Sequence, residues 1–474
     1  MSFSLPKSRL SSDFVLLIWG GLFLVSRVPF IFSGSGYGLD PDAYYVLLSA
    51  QKILATGRYF MSRPPGYPLF EIICALLSPG GPVATTGMTA LISLLSLFPF
   101  MGIMKLLSVK NQGWLLFTFC FAPILWITST CTMDYQWALF FVMMAYYFFL
   151  DRKYLRGAFF LGIAVGFRIT SGLMILPLSL QFLFQEKSIR KFIIPFFLFG
   201  LVSLLTYTPV FLSYGFSFWQ YVPNNAPFYI WGYRTLSELL GFPALLFLIL
   251  GIFAAIHNRA KGKSDPNALV LLLVIVSYTF LFLKLPAETA YLLPIIPFGL
   301  IFLDKILSRR FLILFCLFFV LNGIISIAVI DKRAYRRNGQ IRLLACDYGT
   351  VIKNEIRKRR VYQNAQKLPI LAEALPGGDN IAVVIGWYQP VFQFFNQNTL
   401  DEVNIDGRIP ALKSRGRDLF YLESVTREDI RFLKARQFRL YYLDAAQGAM
   451  SMTGVDLSKY GQQIPGIDSY PVNY

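Results

Sequence analysis

Charge is scarce in this chain. Only 15% of its 474 residues are Asp, Glu, Lys or Arg, against about a quarter in an ordinary soluble protein. Histidine is nearly missing. His257 is the single one, set among Asn258, Arg259, Lys261 and Lys263, which argues against a Ser-His-Asp triad and a histidine-rich metal site. The five cysteines, Cys74, Cys120, Cys131, Cys316 and Cys346, are scattered and include no C-x-x-C. That pattern argues against a disulfide framework and against zinc spacing. There is no G-x-G-x-x-G and no Walker sequence, so no nucleotide is assigned. No internal repeat or low-complexity tract stands out. The first apolar run is too long for a cleavable signal and lacks a small-residue cleavage site.

What the chain has is apolar length. It is 55% hydrophobic and 17% aromatic, with 46 Phe, and its mean hydropathy is +0.54. Apolar runs fall near 14–33, 85–107, 113–129, 134–150, 156–170, 172–186, 190–212, 238–257, 267–284, 289–305 and 310–330. Many reach the length that crosses a hydrocarbon core. The expectation is a polytopic α-helical membrane protein with 11 crossings. The net charge of +18 would suggest nucleic acid in a soluble protein. Here much of it lies in short loops, such as Lys105/Lys110, Arg152/Lys153/Arg156 and Lys305/Arg309/Arg310, at every second crossing. That places the N-terminus in the cytoplasm and the C-terminus outside, in a cytoplasmic (inner or plasma) membrane.

Residues 1–330 then form a transmembrane domain and residues 331–474 a small extracytoplasmic α/β domain. In the second, Ile381–Gly386, Asp418–Leu422 and Arg439–Leu443 read as strands, and Gln389–Gln397 and Arg427–Ala435 as helices. The junction from Lys332 to Arg360 is basic, with Arg357-Lys358-Arg359-Arg360 in a run. Its plain reading is a solvated helix face; the alternative is a patch for anionic headgroups or a phosphorylated acceptor. Within the first domain, the loop 34–84 faces outward. Its apolar piece Tyr67–Leu77 is short for a span, is bracketed by proline and glycine, and is expected flat at the outer interface.

That loop carries the chemistry. Asp40 and Asp42 follow the first span, and a stiff Arg63-Pro64-Pro65-Gly66-Tyr67-Pro68 elbow comes after them. A carboxylate at the mouth of a membrane protein can take a proton from a hydroxyl beside a lipid. The competing role for Asp42 is to cap the helix starting at Ala43. One of the pair can cap while the other faces a cavity. An Asp-Pro-Asp pair can also hold a divalent metal, though the lone motif is weak evidence for one.

Asp134 opens a later span on the same outer face, again with capping as its plain role. Arg168 and Lys284 sit at outer span ends, Lys284 where a lysine simply snorkels. Arg63 and Arg234 are further outer-face cations. Cations suit a leaving phosphate and carboxylates an attacking hydroxyl. Glu288 and Tyr291 are candidates for acceptor or donor contact, and the aromatic loop from Trp219 to Tyr233 suits an interfacial belt or sugar rings.

These residues, in this order, resemble the GT-C glycosyltransferases, within them the polyprenyl-phosphate-sugar-dependent group of protein O-mannosyltransferases and the lipid A aminoarabinose transferase. The family's acidic motif after the first span is similar to Pro41-Asp42-Ala43, with Ala in its last place. Its later Pro-Pro element is similar to the Arg63–Pro68 elbow. Asp134 and Lys284-Leu285-Pro286 are similar to further family positions, and Arg168 stands where the aminoarabinose transferase has a Thr-Lys pair, a charge-preserving difference. Many relatives carry Arg-Tyr where this chain has Ala290-Tyr291.

The resemblance implies an inverting glycosyltransferase. A polyprenyl-phosphate-linked sugar would be the donor, and a lipid, protein or glycan hydroxyl the acceptor. Asp42 is implied as the base, with Asp40 beside it. Asp134, Glu288 and Tyr291 would orient the acceptor, and Arg168, Lys284, Arg63 and Arg234 would hold the phosphate. No metal or other cofactor is required on this scheme. A transporter or lipid flippase is the alternative. Such proteins often show two similar halves, and this sequence shows none.

Overall fold

The computed structural model describes residues 12–34, 36–186, 189–218, 239–257, 265–285, 289–330, 343–375, 380–443, 446, 450 and 455–464. Arg234, Glu288, the whole aromatic loop from Trp219 to Tyr233 and the first part of the basic junction lie outside the described residues.

The helices run α1 (Ser12–Ile31), α2 (Pro41–Thr56), α3 (Pro68–Leu77), α4 (Gly81–Leu95), α5 (Leu97–Leu106), α6 (Gln112–Phe121), α7 (Pro123–Ser129), α8 (Tyr135–Leu150), α9 (Tyr154–Phe167), α10 (Ile175–Glu186), α11 (Ile193–Tyr214), α12 (Phe242–His257), α13 (Pro266–Lys284), α14 (Ile295–Ile306) and α15 (Arg309–Leu321). Four described segments are long and apolar enough to cross a membrane: Phe14–Ile31, Pro68–Leu106, Arg190–Tyr214 and Pro266–Lys284. A bent pair, α6 and α7, makes a fifth. Three shorter apolar helices, α8, α9 and α12, accompany them. Among the described residues this count leaves the 11 crossings expected unconfirmed, since α8, α9 and α12 are apolar but have fewer than 18 residues each. The Tyr67–Leu77 piece is a separate helix, α3, and continues through a 3-10 turn into α4 and α5.

Many large side chains face outward on these helices, among them Leu17, Val25, Phe197, Leu212, Phe253 and Phe280, all more than 60% exposed. Patches of that size are costly in water and ordinary in lipid. Between helices the contacts are close. Gly162 and Gly166 of α9 lie so near α11 that an added Cβ would meet Val202 and Thr206 at 2.6 Å. Small residues four apart allow this approach. The α6–α7 bend of 52° is pinned by the buried Arg27, which donates to the Cys120 carbonyl on one side and to Ser129 Oγ on the other.

After α15 the chain leaves helix. Asn322 and Gly323 end it, and Ile325–Ile330, read from sequence as the tail of a span, is strand β1, antiparallel to β2 (Leu343–Tyr348). The run is β-branched and short, so pairing satisfies its backbone. Helix α16 (Thr350–Glu373) follows, then β3 (Ile381–Val384), α17 (Gln389–Phe395), β4 (Leu400–Ile405), β5 (Ile409–Ser414), β6 (Leu419–Leu422), α18 (Arg427–Ala435), β7 (Arg439–Tyr442) and β8 (Gln462–Gln463). The sheet order is β4-β5-β6-β3-β7-β8, with β3 parallel to both β6 and β7. The expected strands and helices of this unit are all present. The basic run is only half a solvated face: Arg359 and Arg360 are exposed, while Lys358 is buried.

This unit seats on α2. Phe394 and Phe395 pack edge-on against Tyr44, Gln397 Nε2 donates to Gln51 Oε1 at 2.6 Å, and Lys52 pairs with Glu402 at 3.1 Å.

Candidate active site

The two early aspartates divide their roles. Helix α2 begins at Pro41, earlier than the sequence suggested, and its cap is Asp40, whose Oδ1 accepts from the Asp42 N–H at 2.9 Å. Pro41 suits the first helical position because its missing N–H has no partner to lose. Asp42 is therefore not the cap. It stands in the first turn with a quarter of its side chain open.

Its partner comes from the elbow. Arg63 Nε meets Asp42 Oδ2 at 2.7 Å, and Arg63 Nη2 meets Asp134 Oδ1 at 3.3 Å. Asp134 Oδ2 in turn meets Arg168 Nη1 at 2.6 Å. Asp134 occupies the N-cap position of α8 but caps nothing; its fully buried carboxylate is held between two guanidinium groups. The four charges alternate in one line and sum to zero. Such a line holds buried charge that would be untenable singly. Burial pushes the Asp42 carboxyl up to about 6; Arg63 opposes that shift, and Asp40 and Asp134 add to it.

Local structure explains each placement. Helix α9 ends at Phe167, and Arg168 leaves it in extended geometry before a 3-10 turn, Ile169–Met174. Its guanidinium lies over Tyr135 at 4.1 Å and Tyr291 at 4.7 Å, contacts that suit a desolvated cation. Arg63 lies over Tyr67 at 4.2 Å. Thr132 N–H donates to the Tyr37 carbonyl at 2.8 Å, which ties the approach to Asp134 to the approach to Asp40. The elbow is gathered around Glu71 of α3, which is fully buried. Glu71 accepts from the Tyr59 hydroxyl, from the Ser62 N–H at 2.7 Å and hydroxyl, and from the Tyr67 N–H at 3.1 Å. Those donors bracket Arg63.

The structure thus brings Asp40, Asp42, Arg63, Asp134, Arg168 and Tyr291 together. Lys284 ends α13, exposed, with Phe280 as its contact at 5.8 Å; among the described residues nothing joins it to the cluster. Tyr67, Glu71 and Tyr135 were missed by sequence reasoning as members of the site. Only Glu71 carried a signal, as a carboxylate in an otherwise apolar helix. Among the described residues no three His, Cys, Asp or Glu side chains gather as a metal site. Asp40 is engaged as a cap and Asp42 with Arg63.

Two features leave room for a ligand. Arg63 Nη1 is buried without a hydrogen-bond partner among the described residues. Beside Arg168 lies a small, water-sized cavity that also touches Thr170, Tyr278 and Tyr291, with Leu139 and Val142 on its apolar side. The Tyr278 hydroxyl there is also buried and unpartnered among the described residues.

The fold is that of the GT-C glycosyltransferases. In particular, the chain is similar to ArnT from Cupriavidus metallidurans in the apo state, at 12% identity over 80% of this chain and 84% of that one, with a TM-score of 0.52. Lower likenesses reach the Archaeoglobus fulgidus oligosaccharyltransferase, at 12% identity, 82% and 64% coverage and a TM-score of 0.46. They also reach the arabinosyltransferase EmbB from Mycobacterium smegmatis, at 12% identity, 80% and 34% coverage and a TM-score of 0.40. No protein-family model matches the chain, and no curated protein matches it by sequence.

Proposed function

We propose that this chain is an inverting glycosyltransferase that moves a sugar from a polyprenyl-phosphate donor to a hydroxyl acceptor at the extracytoplasmic face of the membrane. The observation that carries the reading is the placement of Asp42. It is a half-buried carboxylate at an opening, raised in pKa, with a guanidinium beside it whose buried Nη1 has no partner among the described residues.

In this reading Asp42 takes the proton from the acceptor hydroxyl. The freed oxygen pair attacks the anomeric carbon from the face opposite the phosphate. The bond from that carbon to the phosphate oxygen breaks, and its electron pair leaves with polyprenyl phosphate. Phosphate is already a good leaving group, so charge stabilisation serves it better than a proton. Arg63 Nη1 and Arg168 supply that stabilisation. Asp134 fixes both guanidinium groups, and Asp40 fixes the helix start that aims Asp42.

The test is Asp42→Asn in purified, reconstituted protein. Loss of a positioned base removes about 10²–10⁴ of rate. The expected outcome is transfer reduced by that factor with folding intact. Transfer near the wild-type rate would refute the assignment, and passage of unmodified substrate across the bilayer would favour transport instead.

A further inference from the structure

The basic stretch of α16 has no part in the reaction above, and its packing fixes where it lies. Helices α1, α6 and α15 run side by side in one direction. Near their starts, a Cβ on Gly113 would stand 3.9 Å from the Val15 side chain, and Asn111 N–H, just before α6, donates to Asp304, shortly before α15, at 3.2 Å. Near their ends, Arg27 reaches the Cys120 carbonyl, and a Cβ on Gly323 would stand 3.5 Å from Pro123. So α1 and α15 end on one side of the bundle, the side on which Asp40 and Asp42 follow α1.

Helix α16 crosses that side. Thr350 N–H donates to the Asn322 carbonyl and Val351 N–H to the Gly323 carbonyl, each at 3.0 Å, which pins the helix start to the end of α15. Further along, Tyr362 lies against Gly36, just past α1, where an added Cβ would stand 3.6 Å from its ring. A helix pinned at both places lies along the membrane face, and Arg357, Arg359 and Arg360 fall between the pins. From Thr350 to Lys367 it carries six cations and one acid, Glu355. Ile356, Arg359, Arg360, Gln363, Lys367 and Ile370 are all exposed and share the face away from the buried Lys358. Arg359 reaches Glu355 at 3.2 Å; Arg360 has no ion pair among the described residues.

An apolar collar stands where α16 joins α15. Ile325 and Tyr348 pair across β1 and β2, Ile324 precedes them, and all three are exposed. A face that only met water would not set this collar beside its cations. Apolar and aromatic groups followed by cations is the order of a lipid interface, from acyl chains to headgroups.

We propose that the exposed face of α16, with this collar, binds anionic lipid headgroups of the leaflet at which α1 and α15 end. Arg359 and Arg360 hold the lipid phosphates through their guanidinium groups, and the collar meets the acyl boundary. Bound lipid braces the C-terminal unit as well. Tyr362 packs on Phe395 with ring centroids 5.2 Å apart, and Phe395 packs on Tyr44 of α2.

The experiment uses the full chain in nanodiscs of mixed phosphatidylcholine and phosphatidylglycerol. Cys346 is exposed, on the same face of β2 as Tyr348, and takes a thiol-reactive dye. Traces of spin-labelled phosphatidylglycerol or phosphatidylcholine, which quench only at short range, compare the two lipids beside it. Labelling confined to Cys346 shows that each variant keeps its other cysteines buried and is folded. Wild type is expected to be quenched more strongly by phosphatidylglycerol. Arg359→Gln and Arg360→Gln should each lower that preference by up to about fivefold, the worth of one cation near an anionic surface. The double variant should lose most of it, as should wild type in high salt. Lys110→Gln, at the opposite end of α6, should leave it as in wild type. Equal quenching of wild type by both lipids overturns the proposal. So does a double variant that keeps the wild-type preference, which would place the attraction elsewhere on the chain. Sugar transfer is no part of the readout, so the result is independent of the reading of Asp42.

Discussion

Asparagine at position 134 is the sharpest perturbation of the charge line. Asp134 is fully buried and answers two guanidinium groups, Arg63 at 3.3 Å and Arg168 at 2.6 Å. Arg63 keeps Asp42 after the change. Among the described residues Arg168 keeps no anion, only the rings of Tyr135, Tyr291 and Tyr67. Removing one partner of a buried pair costs about 3–5 kcal/mol, because a buried charge is left uncompensated. The exposed pair Lys52–Glu402 gives the contrast: at 49% and 60% exposure it is worth about 1 kcal/mol or less.

The cysteines supply the assay. Cys346 is exposed and Cys74, Cys120, Cys131 and Cys316 are buried. A thiol-reactive dye therefore marks Cys346 at once and the other four on unfolding. Asp134→Asn should unfold by several kcal/mol more easily than wild type, and Lys52→Ala almost as wild type. The double variant Asp134→Asn/Arg168→Gln restores the charge balance and should recover most of the stability but not the transfer rate. An Asp134→Asn protein as stable as wild type would refute the reasoning.

Two further outcomes follow from the same geometry. Asp42 acts as a base only when ionised, and its carboxyl is raised to about 6; the transfer rate should climb with pH through about 6, level off above it, and fall as pH drops below, which a pH–rate profile checks. Glu71→Gln turns an acceptor-only carboxylate into an amide whose N–H must face the Ser62 or Tyr67 N–H; it should cost about 1–3 kcal/mol of stability and, by loosening Arg63 from Asp42, move that acid limb upward, whereas a folded variant with an unmoved limb would show that Glu71 does not set Arg63.

Much of this was legible in the chain. Runs of apolar residues marked the helices, and the spacing of Asp40, Pro41 and Asp42 left open which acid caps and which is free. The ion pairs were not legible, because Arg63–Asp134 joins residues 71 positions apart. No local period encodes such a contact. The tail of the last apolar run misled, since Ile325–Ile330 is equally apolar as strand or helix. The β4–β5 hairpin was missed although Asp406-Gly407 marks its turn, with both residues at positive φ. Its strand β4 buries chiefly its two ends, so alternation was faint.

The most direct measurement is single-turnover transfer by Asp42→Asn with the donor saturating. The account predicts donor binding as in wild type and a transfer step slowed by about a hundredfold or more. A transfer step within a few-fold of wild type would contradict it.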